Sequence, residues 1–416
     1  MENSIEIEPF RYQGTLHIPA SKSYLQRAIA IGALCEENTW ILNYYPSNDA
    51  RAALNMAFQL GAEIEQFETK LRIKKGSIAS EEILLNCHEA GLSMRMFSPI
   101  AALQNKKCTI IGEGSLLKRP VNMIEEALSQ LGVFTKSNQG LLPLEILGPA
   151  HANTLEIDGS VSSQLLTGLL IALPNLETDS IIKVKNLISK PYVQMTLDIL
   201  KAFGVEIQND NFKHFIIPGN QKPKRSEYYV EGDWSGAAFH LVGAAISGEL
   251  QTIGLNVQSS QADRAILDAL KLAGADITKA QHEITIKKNE LRAFHFDATD
   301  CPDLFPPLAV LAAACEGTSA IKGVTRLYNK ESNRALSIQS EFKKLNVDVF
   351  LEDDIMRIGK SKVIGNTVLA HNDHRIAMAC ALLATQSQNK ICIQDYQSVN
   401  KSYPTFFEDL SKISVK

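Results

Sequence analysis

Leu200-Lys-Ala-Phe-Gly204-Val-Glu-Ile207 decides the fold: an apolar helical run, a glycine, then the start of an alternating strand. Glycine at this point supplies the left-handed conformation that ends a helix. The same stretch returns as Phe58-Gln-Leu-Gly61-Ala-Glu-Ile-Glu, Leu128-Ser-Gln-Leu-Gly132-Val-Phe-Thr and Leu270-Lys-Leu-Ala-Gly274-Ala-Asp-Ile. A fifth copy, Phe342-Lys-Lys-Leu-Asn346-Val-Asp-Val, carries Asn, which also tolerates that conformation. The five stops at 61, 132, 204, 274 and 346 are 70 to 72 residues apart. Near-equal spacing of this kind marks a structural repeat.

Each unit expands in the same way: first helix, strand, second helix, stop and β-hairpin. In the third unit the elements are Val161 to Leu173, Ser180 to Val184, Pro191 to Phe203, and a hairpin from Val205 to Pro218. Strands alternate with period two, as in Leu71-Arg-Ile-Lys and Ile284-Thr-Ile-Lys. The first helices (Ala237 to Ile246, Pro307 to Cys315, Ile376 to Ala384) are almost wholly apolar, which implies burial on most sides. The pattern predicts an α/β fold with buried helices between sheets, in six units.

A sixth stop would fall near the end of the chain, just after a predicted helix from Thr405 to Ser414, so the last unit lacks its hairpin. The extended segment from Ser4 to Pro19 is spare, and the expectation is that it completes the sixth unit. Three units per domain place one domain at 21–230 and the other at 1–20 plus 231–416.

Composition narrows the function. The 416 residues hold 42 Lys+Arg against 46 Asp+Glu, a net charge of −4, with 45% hydrophobic residues. That excludes disorder and argues against a polyelectrolyte binder, so no nucleic-acid partner is expected. The seven cysteines are scattered and never spaced C-x-x-C, so neither a zinc cluster nor a disulfide framework is expected. The start, Met1-Glu-Asn-Ser-Ile-Glu-Ile-Glu-Pro9, lacks the features of a signal peptide. Leu304 to Cys315, one of the longest apolar runs, falls short of the ~20 residues that span a bilayer. These features predict a soluble, cytoplasmic protein with no membrane partner.

The chemistry concentrates at helix starts. First helices open with Ser21-Lys-Ser-Tyr-Leu-Gln-Arg27, Gly91-Leu-Ser-Met-Arg95, Ser160-Val-Ser-Ser-Gln164, Asp233-Trp-Ser-Gly236, Asp300-Cys-Pro-Asp303 and Asn372-Asp-His-Arg375. Second helices open with Ser47-Asn-Asp49, Lys118-Arg-Pro120, Ser189-Lys-Pro-Tyr192, Lys330-Glu331 and Lys401-Ser-Tyr-Pro404. Ser, Asp and Asn there are ordinary N-caps. Lys and Arg are not, because the helix dipole disfavours cations at that end. Lys22, Arg27, Arg95, Lys118, Arg119, Lys190, Lys330, Arg334, Arg375 and Lys401 recur there, and a bound phosphate or carboxylate reconciles them. Asp303 and Glu331 read either as capping acids or as general acid/base groups set by adjacent lysines, and His374 as a partner or proton shuttle. No metal-ligand cluster, P-loop or dinucleotide fingerprint is present, so no cofactor or metal is expected.

Ser21-Lys-Ser-x-x-x-Arg27, Asp158-Gly-Ser-Val-Ser-Ser-Gln164, Ser189-Lys-Pro-Tyr192, Val230-Glu-Gly-Asp233, Lys330-Glu-Ser-x-Arg334, Asn372-Asp-His-Arg375 and Lys401-Ser-Tyr-Pro404 together resemble the enolpyruvyl transferase family. The resemblance implies a two-domain inside-out α/β barrel of six βαβαββ units, three per domain, closing on substrate. It implies transfer of enolpyruvyl from phosphoenolpyruvate to the 5-hydroxyl of shikimate 3-phosphate, by a monomer. Ser23 and Arg27 would hold the shikimate part, Ser162, Ser163 and Ser189 its phosphate, and Tyr192 its ring. Lys22, Gly91, Gln164, Arg334, His374, Arg375 and Lys401 would surround phosphoenolpyruvate. Lys22, Gln164, Asp303 and Lys330 would also border shikimate 3-phosphate. Asp303, helped by Lys330, would take the hydroxyl proton; Glu331 and Lys22 would handle protons at the methylene carbon.

Three stretches depart from the family pattern. Asn-x-Gly-Thr-x-x-Arg reads Glu89-Ala-Gly91-Leu-Ser-Met-Arg95; Gly112-Glu-Gly-Ser115 lacks its Arg, leaving Lys118 or Arg119 to supply that charge; Asn333 and Arg326 replace the usual Asp and Asn. The sister branch acting on UDP-N-acetylglucosamine carries Lys-Asn at the first helix and a loop cysteine, and this chain has no Cys between Gly112 and Pro120. A non-catalytic binder of a phosphorylated metabolite is the alternative of another class.

Overall fold

The computed structural model describes residues 3–160 and 162–416; Met1, Glu2 and Val161, the last a predicted helix start, lie outside the described residues. The chain divides into two compact units, Lys22–Val230, and Met1–Ser21 with Glu231–Lys416. The unit Lys22–Val230 carries α1 (Lys22–Gly32), α2 (Asn48–Gln59), α3 (Gly91–Ala101), α4 (Asn122–Ser129), α5 (Gln164–Ala172) and α6 (Lys190–Ala202). The other carries α7 (Trp234–Ser247), α8 (Ile266–Ala273), α9 (Phe305–Ala314), α10 (Arg334–Lys344), α11 (His374–Leu383) and α12 (Phe406–Lys412).

Every stop residue adopts the backbone its role demands. Gly61, Gly132, Gly204, Gly274 and Asn346 have φ of 88°, 76°, 77°, 90° and 63°. The odd-numbered helices are the more deeply buried ones; every residue of α3 and α11 is buried. Even-numbered helices keep one polar face, as the burial of α2 and α10 on one side shows. Each sheet repeats one plan: a central strand pairs with a parallel strand on one side and an antiparallel strand on the other. In the second repeat Lys107–Ile111 lies between Glu82–Asn86 (parallel) and Leu141–Leu147 (antiparallel), and Phe134–Asn138 closes the hairpin.

The first repeat borrows its parallel strand from Glu227–Tyr229, which pairs with Thr39–Leu42. The segment from Ser4 to Pro19 departs from the expectation that it serves the sixth repeat alone. Ser4–Ile7 pairs antiparallel with Ile391–Gln394 of the sixth repeat. Arg11–His17 instead runs parallel to Glu249–Ile253 and becomes the first strand of the fourth repeat. Two alternating strands joined by Glu8-Pro9-Phe10 serve two sheets, because a proline there interrupts ladder hydrogen bonding. The end of the chain differs as well. The helix predicted from Thr405 to Ser414 stops at Lys412, and Ser414–Val415 is a strand against Arg11–Tyr12.

One core histidine carries a measurable consequence. His240 in α7 is fully buried, its Nδ1 3.3 Å from the Tyr12 hydroxyl and its ring 5.1 Å from that of Phe406. Burial pushes its pKa down to about 4, with the Asp409 charge opposing in part. In the unfolded chain it titrates near ~6.5. The unfolded state therefore binds a proton the folded state refuses; this contribution is intact above about 6.5 and is lost as pH falls toward the folded value. His240→Phe is expected to flatten the stability curve measured by urea unfolding across that window. A curve parallel to that of the unsubstituted protein would remove His240 as a source of acid sensitivity.

Candidate active site

In the unit Lys22–Val230 the site begins at α1. Lys22 opens the helix, and its Nζ lies 2.9 Å from Asp49 Oδ2. One turn on, Arg27 is 1% exposed. Its Nη1 donates to the Ser23 carbonyl (2.8 Å), its Nε to Thr196 Oγ1 (3.0 Å), and its Nη2 to Thr167 Oγ1 and the Tyr192 carbonyl. All of these partners are neutral. Burial accordingly pushes the Arg27 pKa down to about 10, and nearby tyrosines oppose the shift. A buried guanidinium among neutral groups suits an incoming carboxylate.

Ser189, in a left-handed turn, and Ser163 both precede helices and are buried. The Tyr192 N–H donates to the Ser189 carbonyl at 3.1 Å, and the Ser162 hydroxyl accepts from the Gln164 N–H at 3.2 Å. The predicted helix start at Ser160–Val161 moves to Gln164. Ahead of it, Asp158 accepts from the Ser160 N–H at 2.8 Å.

A second cluster lies at the amino end of α3. Ala90, before it, has no side chain to cap the helix. A Cβ placed on Gly91 would lie 2.7 Å from Arg119 Nη1 and 3.3 Å from Arg95 Nη1, so both guanidinium groups border the bare first turn. Arg95 Nη1 donates to Gln164 Oε1 (2.9 Å). Arg95 Nε and Arg119 Nε and Nη2 are buried without a partner among the described residues. Burial, then the Arg119 charge, pushes the Arg95 pKa down to about 10. Unsatisfied N–H groups, a helix dipole and two cations make an anion cradle. Of the two cations the sequence left open, Arg119 borders Gly91, whereas Lys118 is exposed at the end of the turn Gly114–Lys118.

The other unit gathers the acids. Asp303 lies in the short turn Pro302–Leu304 before α9 and caps neither. Its Oδ1 accepts from Arg334 Nη1 (2.8 Å) and Lys330 Nζ (3.3 Å), and its Oδ2 from Arg375 Nη2 (3.1 Å). Arg334, the first residue of α10, is fully buried. It also donates to Glu331 Oε2 (2.5 Å) and, through Nε, to Asp373 Oδ2 (2.9 Å). Burial alone would lower the Arg334 pKa; Asp373, Glu331 and Asp303 outweigh it and hold the guanidinium charged. The protein packed around Lys330 pushes its pKa below the ordinary lysine value, with Asp303 opposing in part.

Asp373 caps α11 through the Arg375 N–H, so the same carboxylate fixes both Arg334 and the helix that carries Arg375. His374 is buried at the first position of α11, and Lys401 Nζ donates to the Asn372 carbonyl at 2.8 Å. Asn333 caps α10 by accepting from the Leu336 N–H.

Several predicted helix starts are corrected. Lys118, Lys330, Glu331 and Lys401 sit in turns ahead of α4, α10 and α12 rather than in their first turns. Asp263 is a member of this region that sequence reading missed. It is 2% exposed, its carboxylate accepts from the Ser235 hydroxyl, and its pKa rises to about 6 through burial and the Asp303 charge. Its only signal was an acid in Gln261-Ala-Asp263 ahead of an apolar helix. Among the described residues no cluster of His, Cys, Asp and Glu is placed to hold a metal ion. Among the described residues no helix is long and apolar enough to cross a membrane.

A repeated α/β scaffold bearing cations and carboxylates at these turns matches one family. The family model of EPSP synthase (3-phosphoshikimate 1-carboxyvinyltransferase) covers residues 8–410. The 3-phosphoshikimate 1-carboxyvinyltransferase of Clostridium novyi is 38% identical over 99% of this chain and 98% of its own. That of Clostridium acetobutylicum is 39% identical over 99% and 97%. The solved structure of EPSP synthase from Acinetobacter baumannii superposes with a TM-score of 0.84 at 26% identity, over 99% of this chain and 98% of that one. The chain belongs to the EPSP synthase family.

Proposed function

We propose that this chain transfers the enolpyruvyl group of phosphoenolpyruvate to the 5-hydroxyl of shikimate 3-phosphate and releases phosphate. The observation that supports it most is the Asp303 carboxylate, shared among Lys330, Arg334 and Arg375. A general base must stay ionised and within reach of cations that steady the charge it creates.

Arg27 receives the shikimate carboxylate, Ser162, Ser163 and Ser189 its phosphate, and the Tyr192 ring flanks it, with Ser23 alongside. The cradle at Gly91, Arg119 and Gln164 takes the phosphate of phosphoenolpyruvate with Lys22 and Lys401, while Arg334 and Arg375 take its carboxylate and His374 lies beside them. Asp303 and Glu331 occupy those guanidinium forks in the present structure. Substrate carboxylate displaces them, which frees both acids for chemistry.

Asp303 then removes the 5-hydroxyl proton as the oxygen attacks C2, while Glu331 or Lys22 protonates C3 to a methyl. The methyl loses a proton as the C2–O bond to phosphate breaks, and the enol ether forms. Fixed cations stabilise the tetrahedral intermediate, so neither nucleophile nor metal is required of the protein. The reading makes the protein a cytoplasmic monomer acting on phosphorylated metabolites. Phosphate release followed with both substrates tests this. Steady turnover that needs both is expected; no release, with shikimate 3-phosphate still binding, would sink it.

A further inference from the structure

Arg119 reaches the Gly91 cradle from a short turn that has little side-chain packing of its own. Of the residues Gly114–Lys118 only Leu116 is buried. The turn is tied instead to the preceding strand end: the Glu113 N–H donates to the His88 carbonyl at 2.8 Å. The Ser115 N–H donates to Glu89 Oε1 at 3.3 Å. Gly114 adopts φ +56°, and a Cβ there would overlap the Glu89 carboxylate itself. The acid therefore sits in the space a glycine leaves.

Asn86 and His88 add a second tie, each contacting Glu113 Oε1 (3.2 and 3.1 Å). These contacts are exposed, where pairs hold weakly. The Glu89 contact is part-buried and lies against the turn's backbone, so it fixes the direction in which the following residues leave.

We propose that Glu89 is a positioning residue: seated in the space that Gly114 leaves, it holds the turn so that the Arg119 guanidinium stands against Gly91. This rests on the reading of that cradle as the phosphoenolpyruvate phosphate site. Glu89 and Gly114 form a matched pair. Either one replaced alone loses the contact, and replacing the second then costs little more.

Steady-state kinetics on the full chain tests it. Glu89→Ala is expected to raise KM for phosphoenolpyruvate about tenfold, with kcat and KM for shikimate 3-phosphate within about twofold. Glu89→Gln keeps an acceptor for the Ser115 N–H and restores most of the affinity. Gly114→Ala mimics Glu89→Ala, and the double substitution is no worse than about the larger single effect. Arg119→Ala serves as the reference. If it raises KM for phosphoenolpyruvate and Glu89→Ala does not, or if the two single effects multiply, the positioning role is wrong. If Arg119→Ala leaves that KM unchanged, the cradle reading beneath falls, and the inference with it.

Discussion

Asp303→Asn is expected to reduce kcat by about a thousandfold, the scale on which a positioned general base contributes. The substitution keeps the shape of the side chain and one acceptor oxygen for Lys330 and Arg334, turns the oxygen that faces Arg375 into an NH2 donor, and removes the negative charge and the proton acceptor. Ground-state affinity should move the other way. Three cations that share an acid have more attraction left for phosphoenolpyruvate once the acid is neutral, so KM for that substrate is expected to stay level or fall. Turnover within about tenfold of the unsubstituted protein would remove Asp303 as the base. A KM rise with unchanged kcat would recast it as a binding group.

Arg334→Met is expected to be the most damaging single change to stability in its unit. The guanidinium is fully buried and satisfies Asp373, itself fully buried, together with Glu331 and Asp303. Removing the cation takes the guanidinium from the buried Asp373 carboxylate, and breaking a buried pair in this way costs about 3–5 kcal/mol. For a unit of this size that corresponds to a fall in midpoint on the order of 10 °C. The chain has two tryptophans, Trp40 in the unit Lys22–Val230 and the fully buried Trp234 in the other. In a Trp40→Phe background, thermal unfolding read by Trp234 fluorescence reports the affected unit alone. Arg334→Lys should recover part of the loss, since one ammonium cannot serve the fork geometry of three acids. An unshifted Trp234 transition in the Met variant would show that the carboxylates find other partners.

The stops, four glycines and Asn346, were legible because a helix end is a local backbone requirement: the residue that satisfies it is visible in sequence, and all five have positive φ. The apolar first helices were legible for a similar reason, since burial on every side leaves no polar face to write. Pairing between distant strands leaves no such mark. Nothing in Tyr12 or Leu16 says whether the partner is residue 252 or 393. The division of the Ser4–Pro19 segment between two repeats therefore emerged only from the ladders.

At the site, residue types were legible and their directions were not. Lys118 and Arg119 are adjacent cations, and only the turn Gly114–Lys118 decides which one borders Gly91. Asp303 looked equally like a cap until its carboxylate was found on three cations. Asp263 was silent because its burial is a property of neighbours far along the chain.

The borrowed strands set an order of events in time. A ribosome adds about 5–20 residues per second, and units fold as their elements emerge. The sheets and helices of Lys22–Val230 are complete once Tyr229 has been made, since Glu227–Tyr229 is the last strand they need. Arg11–His17 leaves the ribosome long before this but has no partner until Glu249–Ile253 follows, about 20 s later at mid-range speed. Ser4–Ile7 waits longer still, for Ile391–Gln394. Residues synthesised early are thus among the last to fold, and throughout that interval they are unpaired strands for chaperones to hold.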